Sequence, residues 1–227
     1  MAAPHIMLSS PRKAALMNAY NDRMFELKTR AAEERKLIGR QGDERAPPGQ
    51  KWVKEAPVLD LGTRPVVRPD LWKLVVGGEV ARPLTFDWKL FHKLPTVEVT
   101  EDIHCVTGWS VRKQVWRGVP GSAIVQAVRA RTYAKFVMAR SEDGYGTPIE
   151  IGDFDRDTVV LATHWNGEPL TRDHGAPVRL VVPHLYFWKS AKWVKQLWFM
   201  ETYAHGTWEG RGYHKRGDPW KQQRYRD

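Results

Sequence analysis

Short β-type segments, separated by residues that favour turns, occupy most of the chain between Leu71 and Thr202. The predicted strands are LWKLVV at 71–76, TVEVTEDI at 96–103, YAKFVMA at 133–139, DTVVLATHWNGEPL at 157–170, VRLVVP at 178–183 and KWVKQLWFMET at 192–202. Asn166-Gly167 is the strongest short-range signal for a β-hairpin. Two stretches, at 84–95 and 122–130, predict short helices, and the first begins at Thr85. The pattern indicates one β-rich α+β domain.

The two ends of the chain differ from this β-rich body. Residues 11–38 carry an apolar stripe at helical spacing between a Ser10-Pro11 start and a Gly39 stop. They predict a helical arm that packs on the body or binds a partner. Residues 203–227 combine glycine, charge and unperiodic aromatics, and they predict a tail that runs over the surface. We therefore divide the chain into an N-terminal helical arm and linker (1–45), a body (46–202) and a C-terminal tail (203–227).

Composition narrows the class of protein. A single cysteine in 227 residues excludes an intrachain disulfide and a cysteine-rich zinc or iron–sulfur site. No stretch is apolar for long enough to span a membrane as a helix, and the N-terminal residues lack the apolar region of a secretory signal. We therefore expect a cytoplasmic protein. The net charge of +10 and the eleven tryptophans fit nucleic-acid binding, but a phosphorylated cofactor also needs basic groups.

The lone cysteine, Cys105, lies in the segment HCVTGWS directly after a predicted strand. A nucleophilic cysteine needs a base, and the neighbouring His104 points to the opposite face if the segment is extended. The histidines lack the spacing of a zinc site, and the glycine-rich phosphate loops of nucleotide-binding proteins are absent from the sequence. The immediate neighbours of Cys105 therefore do not decide whether it is a buried apolar side chain, a nucleophile or a metal ligand.

Side chains that bind anions are concentrated in two nearby segments, HGAPVRLVVP and WKSAKW. They supply His174, Arg179, Lys189, Ser190 and Lys192. Arginine binds phosphate through two parallel hydrogen bonds, and lysine acts as a point charge. One thiolate together with these groups would suit an anionic cofactor whose metal has one open position for a protein ligand.

The same segments resemble the sulfite oxidase superfamily of molybdopterin-dependent oxidoreductases. DIHCVTGWS resembles the loop with the molybdenum-ligating cysteine, NGEPLTRDHGAPVRLVVP the pterin-binding stretch, and YFWKSAKW the lysine-containing cofactor loop. DLWKLVVGGEVARPLTFDWKLFHKLP resembles the first strand and helix of the family domain, and GTWEGRGYHKRGDPWKQQRY the tail of a small bacterial subgroup. The resemblance extends from Trp52 to Tyr225. It implies the β-rich α+β fold of the sulfite oxidase catalytic domain, with an added N-terminal helical arm and a wrapped C-terminal tail. We expect neither a haem domain nor an immunoglobulin-like dimerisation domain.

The resemblance also implies roles for individual residues. Cys105 is expected to ligate molybdenum, and His174 and Arg179 to bind the molybdenum–molybdopterin cofactor, with Arg179 on its phosphate. Trp188, Lys189 and Lys192 are expected to contact the cofactor through backbone and side chains. The catalytic surroundings are expected to include His104 and Trp109, with His184 as a further candidate for the substrate mouth.

The implied reaction is two-electron oxygen-atom transfer on a small sulfoxide, sulfite-like or N-oxide substrate, with electrons exchanged with an external partner. Sulfite oxidases carry an arginine soon after the ligand cysteine, whereas here Thr107-Gly108-Trp109 follow and the nearest arginine is Arg112. This segment is more similar to the bacterial methionine-sulfoxide-reductase branch. The stretch VLDLGTRPVV lies where other members have N-terminal cofactor contacts. The alternative from another class is a basic nucleic-acid-binding module without catalytic activity.

Overall fold

The computed structural model describes residues 46–226, and the predicted helical arm at 11–38 lies outside the described residues. Within residues 46–226 the strands are β1 Lys51–Trp52, β2 Lys73–Gly78, β3 Leu84–Asp87, β4 Val97–His104, β5 Trp109–Pro120, β6 Phe136–Ser141, β7 Gly146–Glu150, β8 Val160–Trp165, β9 Glu168–Pro169, β10 Arg179–Val181 and β11 Val194–Met200. The α-helices are α1 Trp88–Phe91, α2 Gly121–Val128 and α3 Ile151–Phe154. Single 3-10 turns occupy Arg172–His174, Phe187–Lys189 and Glu209–Arg211. None of the helices in this range is long and apolar enough to cross a membrane.

The strands form two sheets. Sheet A follows the order β1-β5-β8-β10, with β4 paired to β5 and β9 paired to β8. Sheet B follows the order β3-β2-β11-β6-β7. The pairs β1–β5 and β2–β11 are parallel, and the other pairings are antiparallel. The β-rich α+β architecture predicted from the sequence is confirmed.

Strand β8, inside sheet A, is buried on both faces over residues 160–162. Leu161 belongs to the main core, together with Phe199 of sheet B and Ile124 of α2. Its neighbours Val160 and Ala162 belong to a second apolar cluster. Since successive side chains of a strand point to opposite faces, apolar residues at consecutive positions are needed where both faces are covered. The second cluster lies on the same face as Trp116 and Ile103, next to the cysteine hairpin.

Two local predictions are confirmed by the observed backbone. The segment predicted helical at 122–130 forms α2, Gly121–Val128. Asn166-Gly167 forms the turn between β8 and β9, and both residues have positive φ, at 51° and 87°. Asparagine and glycine tolerate this conformation better than other residues, which is why the pair marks a hairpin.

The prediction of a helix that begins at Thr85 is wrong. Residues 84–87 form β3, where Thr85 is paired with Val75 of β2, and α1 begins only after Asp87. The Asp87 carboxylate caps α1 by accepting a hydrogen bond from Leu90 N at 2.7 Å. Strand pairing in sheet B therefore overrides the local helical pattern.

Candidate active site

A short turn joins β4 to β5 and carries the lone cysteine. Strand β4 ends at His104, and β5 begins at Trp109. Two backbone hydrogen bonds close the turn, from Cys105 N to Trp109 O (2.8 Å) and from Gly108 N to Cys105 O (2.9 Å). Gly108 has a φ of 104°, which glycine adopts without a steric clash at Cβ. The hairpin therefore holds Cys105 at a defined place.

The Cys105 side chain is 6% exposed and belongs to a small apolar cluster distinct from the main core. The cluster consists of Cys105, Val106, Tyr186, Trp188 and Tyr213. Burial raises the pKa of the Cys105 thiol, while the Thr107 hydroxyl and the charge of Arg224 act in the opposite direction. Thr107 Oγ1 donates to Sγ at 3.2 Å. Because a coordinated thiol is deprotonated by its metal, a metal would reverse the preference that burial gives this group.

His104 is engaged away from the cysteine sulfur. Its Nδ1 donates to Ser110 Oγ (2.8 Å), and Ser110 Oγ donates to Gln50 Oε1 (3.0 Å). Burial lowers the pKa of His104 to about 4. With so low a pKa the His104 imidazole is a weak base, and among residues 46–226 no hydrogen bond joins it to Cys105 Sγ, so it does not form the thiol–base pair that a nucleophilic Cys105 needs.

Trp109 lies between the cysteine hairpin and the 3-10 turn at Phe187–Lys189. Its ring packs edge-on against Phe187, with centroids 6.2 Å apart. The guanidinium carbon of Arg179 lies 4.5 Å from the centroid of the same Phe187 ring. Within the described residues, the buried indole Nε1 of Trp109 has no hydrogen-bond partner. Phe187 thus connects the surroundings of Cys105 with those of Arg179.

Arg179 is a buried cation at the start of β10. It is 3% exposed, and it donates to His174 O (3.2 Å) and Ser190 O (3.3 Å). Burial lowers the pKa of Arg179 to about 9, which leaves it charged at neutral pH. Among residues 46–226 no carboxylate forms an ion pair with Arg179, and its buried Nε has no partner. A buried charge without compensation is strongly destabilising, so the site is suited to an anion.

His174 and Lys192 lie beside Arg179. Burial and then the charges of Arg179 and Lys192 lower the pKa of His174 to about 4. Burial and then the charge of Arg179 lower the pKa of Lys192 to about 8. Lys192 Nζ donates to Asp173 O at 2.9 Å, and the His174 ring packs edge-on against Trp165. The structure therefore brings together three of the predicted cofactor-binding residues.

The other two predicted contacts, Trp188 and Lys189, have side chains that are already engaged. Lys189 Nζ donates to Glu209 Oε1 (2.6 Å), Pro148 O (2.7 Å) and Lys215 O (2.7 Å). Trp188 Nε1 also donates to Glu209 Oε1, at 3.1 Å. An ammonium has three donors, so Lys189 has none left for a cofactor phosphate. Its side chain holds the tail, and contact with a cofactor through the backbone of this turn stays a prediction.

His184 lies in a charged group that ties the tail to α3. Its Nε2 is 3.0 Å from Asp153 Oδ1, and Arg216 donates to both oxygens of the Asp153 carboxylate at 2.8 and 2.9 Å. The Asp153 carboxylate is buried by these contacts. This arrangement gives His184 a structural partner, and its placement at a substrate mouth stays a prediction.

Several residues near the site have no counterpart in the sequence predictions. Gln50 Nε2 donates to Cys105 O at 3.1 Å, and buried Arg224 donates to Val106 O. Arg64 pairs with Asp60 (2.6 Å) and with Asp173 (3.0 Å), next to His174. For Arg64 the sequence offers a signal, since it lies in VLDLGTRPVV. Nothing in the composition of the tail distinguishes Arg224 from its other basic residues.

These features fit a metal-bearing, phosphorylated cofactor. The buried thiol of Cys105 is a donor for one metal position, and Arg179 with Lys192 offers charge to a phosphate. Trp109 and Phe187 form an aromatic surface between the two. Arg179 Nε and Trp109 Nε1 have no hydrogen-bond partner among residues 46–226, so both can donate to a bound group.

Comparison with known proteins identifies the family. Residues 61–208 match the family described as the oxidoreductase molybdopterin binding domain. The oxidoreductase YuiH of Bacillus subtilis is 42% identical over 189 residues, which cover 82% of this chain and 96% of that protein.

Two relatives carry the name of a reductase. The putative protein-methionine-sulfoxide reductase subunit YedZ1 of Azospira oryzae is 30% identical over 142 residues, or 63% of this chain and 54% of that protein. The protein-methionine-sulfoxide reductase catalytic subunit MsrP of Burkholderia mallei is 29% identical over 171 residues, or 68% and 50%. The chain thus spans about half the length of these two relatives.

A solved structure agrees with the fold. The sulfane dehydrogenase SoxCD of Paracoccus pantotrophus superposes with a TM-score of 0.59 and 22% identity, over 66% of this chain and 42% of that chain. The likeness supports the molybdopterin-binding fold and not a shared substrate. The family match covers more than half of the chain, and YuiH is matched over nearly its whole length. The chain therefore belongs to the oxidoreductase molybdopterin binding domain family and is a sulfite oxidase-like enzyme that uses a molybdopterin-bound molybdenum cofactor.

Proposed function

We propose that this enzyme carries out two-electron oxygen-atom transfer at a mononuclear molybdenum centre to which Cys105 contributes the protein ligand. The observation that carries the proposal is the pairing of a buried thiol with a buried, uncompensated cation. Trp109 packs against the apolar cluster that contains Cys105 and against Phe187, and the Arg179 guanidinium lies over the same Phe187 ring. A metal cofactor with a phosphate arm is the kind of group that satisfies both at once.

The bound cofactor would supply the two-electron redox change and the oxygen atom transfer itself. The protein residues bind and orient it. Arg179 and Lys192 would neutralise the phosphate, and neutral His174 would serve as a hydrogen-bonding group beside them. The Trp109 ring would exclude water from the region next to Cys105.

A neutral sulfoxide is the substrate class that the cysteine turn favours. Thr107-Gly108-Trp109 brings no positive charge of its own to the turn, and Arg224, which reaches the turn from the tail, is buried with its guanidinium donating to Val106 O and Pro48 O. The nearest arginine in sequence, Arg112, has its guanidinium carbon 4.3 Å from the centroid of the Trp52 ring, so it is directed to that ring. Sulfite is an anion and would require charge compensation that a sulfoxide does not require. The names of the two reductase relatives agree with this choice.

Reduction of a sulfoxide to a sulfide and water consumes two electrons and two protons. We propose that an external electron donor supplies the electrons, because a sequence with one cysteine cannot form the dithiol–disulfide pair that would provide two electrons from within the chain. The name of one relative, a catalytic subunit, is consistent with a separate electron-transfer partner.

Metal analysis tests the cysteine assignment. Protein made in a host that synthesises molybdopterin is expected to contain about one molybdenum per chain, and Cys105→Ser is expected to lose most of it. Ser141→Ala, which removes another buried polar side chain, is the control and should retain the metal. Equal molybdenum content in wild type and Cys105→Ser would overturn the assignment.

Assays with artificial electron mediators test the substrate class. Reduced viologen with a methyl sulfoxide or an N-oxide reports reduction, and ferricyanide with sulfite reports oxidation. The proposal expects sulfoxide reduction to exceed sulfite oxidation in kcat/KM. Sulfite oxidation as the faster reaction would refute the choice of sulfoxide. Metal-free protein that binds nucleic acid with a steep salt dependence would instead favour the binding-module alternative.

A further inference from the structure

Side chains and backbone from outside the family domain bind the carbonyl groups of the cysteine turn. Gln50 Nε2 donates to Cys105 O (3.1 Å), Arg224 Nη1 donates to Val106 O, and Lys51 N donates to Gly108 O (2.8 Å). The family match covers residues 61–208, so all three donors lie beyond it. Segments on both flanks of the domain therefore meet at the turn that carries Cys105.

Gln50 is fixed from both ends of its amide. While Nε2 binds the Cys105 carbonyl, Oε1 accepts a hydrogen bond from Ser110 Oγ at 3.0 Å. Backbone pairing continues along the same segment, since Val53 N donates to Ser110 O at 2.8 Å. An amide held in this way offers a single orientation to Cys105.

Arg224 reaches the turn from the tail. It is 7% exposed, its guanidinium carbon lies 4.9 Å from the centroid of the Tyr186 ring, and Nη2 donates to Pro48 O at 3.4 Å. A Cβ at Gly49 would lie 3.3 Å from Nη2, so the chain passes close to the guanidinium there. One arginine thus links the tail, the N-terminal flank and the cysteine turn.

We propose that Gln50 and Arg224 are positioning residues for Cys105, an inference that rests on the proposed role of Cys105 as the metal ligand. Within the turn itself, the Cys105 carbonyl accepts a hydrogen bond from Gly108 N. The peptide planes before and after the Cys105 α-carbon set the direction of its Cα–Cβ bond; Trp109 O holds the first through Cys105 N, and Gln50 holds the second through Cys105 O. Arg224 holds the next plane through Val106 O, so it fixes the segment that follows Cys105. A hydrogen bond from a charged donor is the stronger kind, so Arg224 holds the Val106 carbonyl more firmly than Gln50 holds the Cys105 carbonyl.

Hydrogen exchange in the cofactor-free protein tests the clamp directly. Arg224→Gln is expected to speed exchange of the Cys105 and Gly108 amides about 10-fold, because loss of the clamp lets the turn open. The matched control is Arg226→Gln, which removes a neighbouring tail arginine that donates to Glu209 O and does not touch the turn. Arg226→Gln should leave both amides at the wild-type rate.

Conservative variants separate positioning from fold stability. Arg224→Lys keeps the charge but not the fork of two donors, so partial recovery of protection is expected. Gln50→Ala is the second route and should speed Cys105 exchange even if Arg224→Gln does not fold. The clamp is overturned if the turn amides of the folded variants exchange within twofold of wild type, or if Arg226→Gln accelerates them equally.

The molybdenum-loaded protein gives a second readout. The paramagnetic Mo(V) signal reports the geometry of the metal–sulfur bond, so its g-values should shift in Arg224→Gln and stay unchanged in Arg226→Gln. Unchanged g-values in Arg224→Gln would overturn the positioning role. The proposed function fails separately, on the metal content of Cys105→Ser, while the exchange experiment uses protein without metal.

Discussion

Lys189 and Glu209 form an enclosed ion pair that joins the predicted cofactor loop to the tail. Nζ lies 2.6 Å from Oε1, and the two side chains are 0% and 1% exposed. Burial lowers the pKa of Lys189, and the charge of Glu209 raises it. Because the ammonium also donates to two backbone carbonyls, the pair is a structural link between residues far apart in the sequence.

Removing one partner of this ion pair is expected to destabilise the folded protein strongly. Glu209→Ala should reduce the free energy of unfolding by about 3–5 kcal/mol, because Lys189 would be left buried without a counter-charge. Trp188 Nε1 would lose its acceptor as well. Urea unfolding of the cofactor-free protein gives the measurement.

An accessible pair provides the control for that loss. Lys195 Nζ lies 3.1 Å from Glu142 Oε2 near the surface, and Glu142→Ala should change the free energy of unfolding by less than about 1 kcal/mol. The double variant Lys189→Met/Glu209→Leu should recover part of the loss, since no charge stays buried. If Glu209→Ala and Glu142→Ala reduced the free energy of unfolding equally, the enclosed pair would contribute no more to stability than the accessible pair.

The sheet pattern was predictable because it depends on local features. Asn166-Gly167 has the residue types that a positive φ requires, and the 178–183 run is apolar enough for a strand buried on both sides. Strand β5 was not predicted, because Arg112, Lys113 and Arg117 interrupt its apolar pattern. Its position depends on pairing with β4 and β8, which is long-range information.

The residues of the candidate site also include some that the sequence indicates and some that depend on long-range contacts. Cys105, His174 and Arg179 stand in segments that resemble the motifs of the family, which is why the sequence assigns them to one site; their joint role in binding the cofactor stays a prediction. The engagement of Lys189 by Glu209 was not, because a sequence does not indicate which lysine a distant carboxylate will reach. Arg224 is hidden for the same reason, since its partner Val106 lies 118 positions earlier.

Anion binding at Arg179 and Lys192 should depend on pH. Inorganic phosphate is expected to raise the Tm of the cofactor-free protein, and the increment should fall as the pH rises through about 8, where Lys192 loses its proton. A bound anion favours the charged lysine, so the midpoint in its presence lies somewhat higher. Inorganic phosphate completes its second ionisation just below this range, which strengthens binding as the pH rises, so the decline caused by Lys192 is read from about pH 8 upward.

Lys192 also changes the stability of the protein without phosphate as the pH rises, and this change has the opposite sign to the loss of phosphate binding. The folded pKa of Lys192 is below its ordinary value, so the unfolded chain holds more protons between about pH 8 and 10.5. Stability without phosphate therefore gains from Lys192 as the pH rises there. The increment with phosphate is compared with the value without it at each pH. Lys192→Met should abolish the pH dependence, Lys195→Met should keep it, and an unchanged profile in Lys192→Met would refute the role of Lys192.

Acid should destabilise the protein partly through His174. Its folded pKa is about 4 against an ordinary 6.5, so the unfolded chain takes up the proton first and stability is lost as the pH falls from 6.5 towards 4. His174→Gln should lose less stability between pH 7 and pH 5 than wild type in urea unfolding. Since the pKa of His104 is lowered similarly, the double variant with His104→Gln should lose least. A wild-type slope in both variants would exclude these histidines as the cause.

Gly175 controls the spacing between the two anion-binding side chains. Its φ is 102°, and a Cβ there would lie 2.9 Å from Lys192 Cβ and 3.1 Å from Arg179 Cβ. Gly175→Ala should therefore cost about 1–3 kcal/mol of stability and weaken the phosphate-induced rise in Tm, because both cations must move apart. Gly152→Ala is the matched control: Gly152 lies in α3, the added carbon would meet nothing within 4 Å beyond its chain neighbours and the backbone of its own helix, and alanine favours a helix. Retention of the full phosphate effect in Gly175→Ala would show that binding tolerates movement of Arg179 and Lys192.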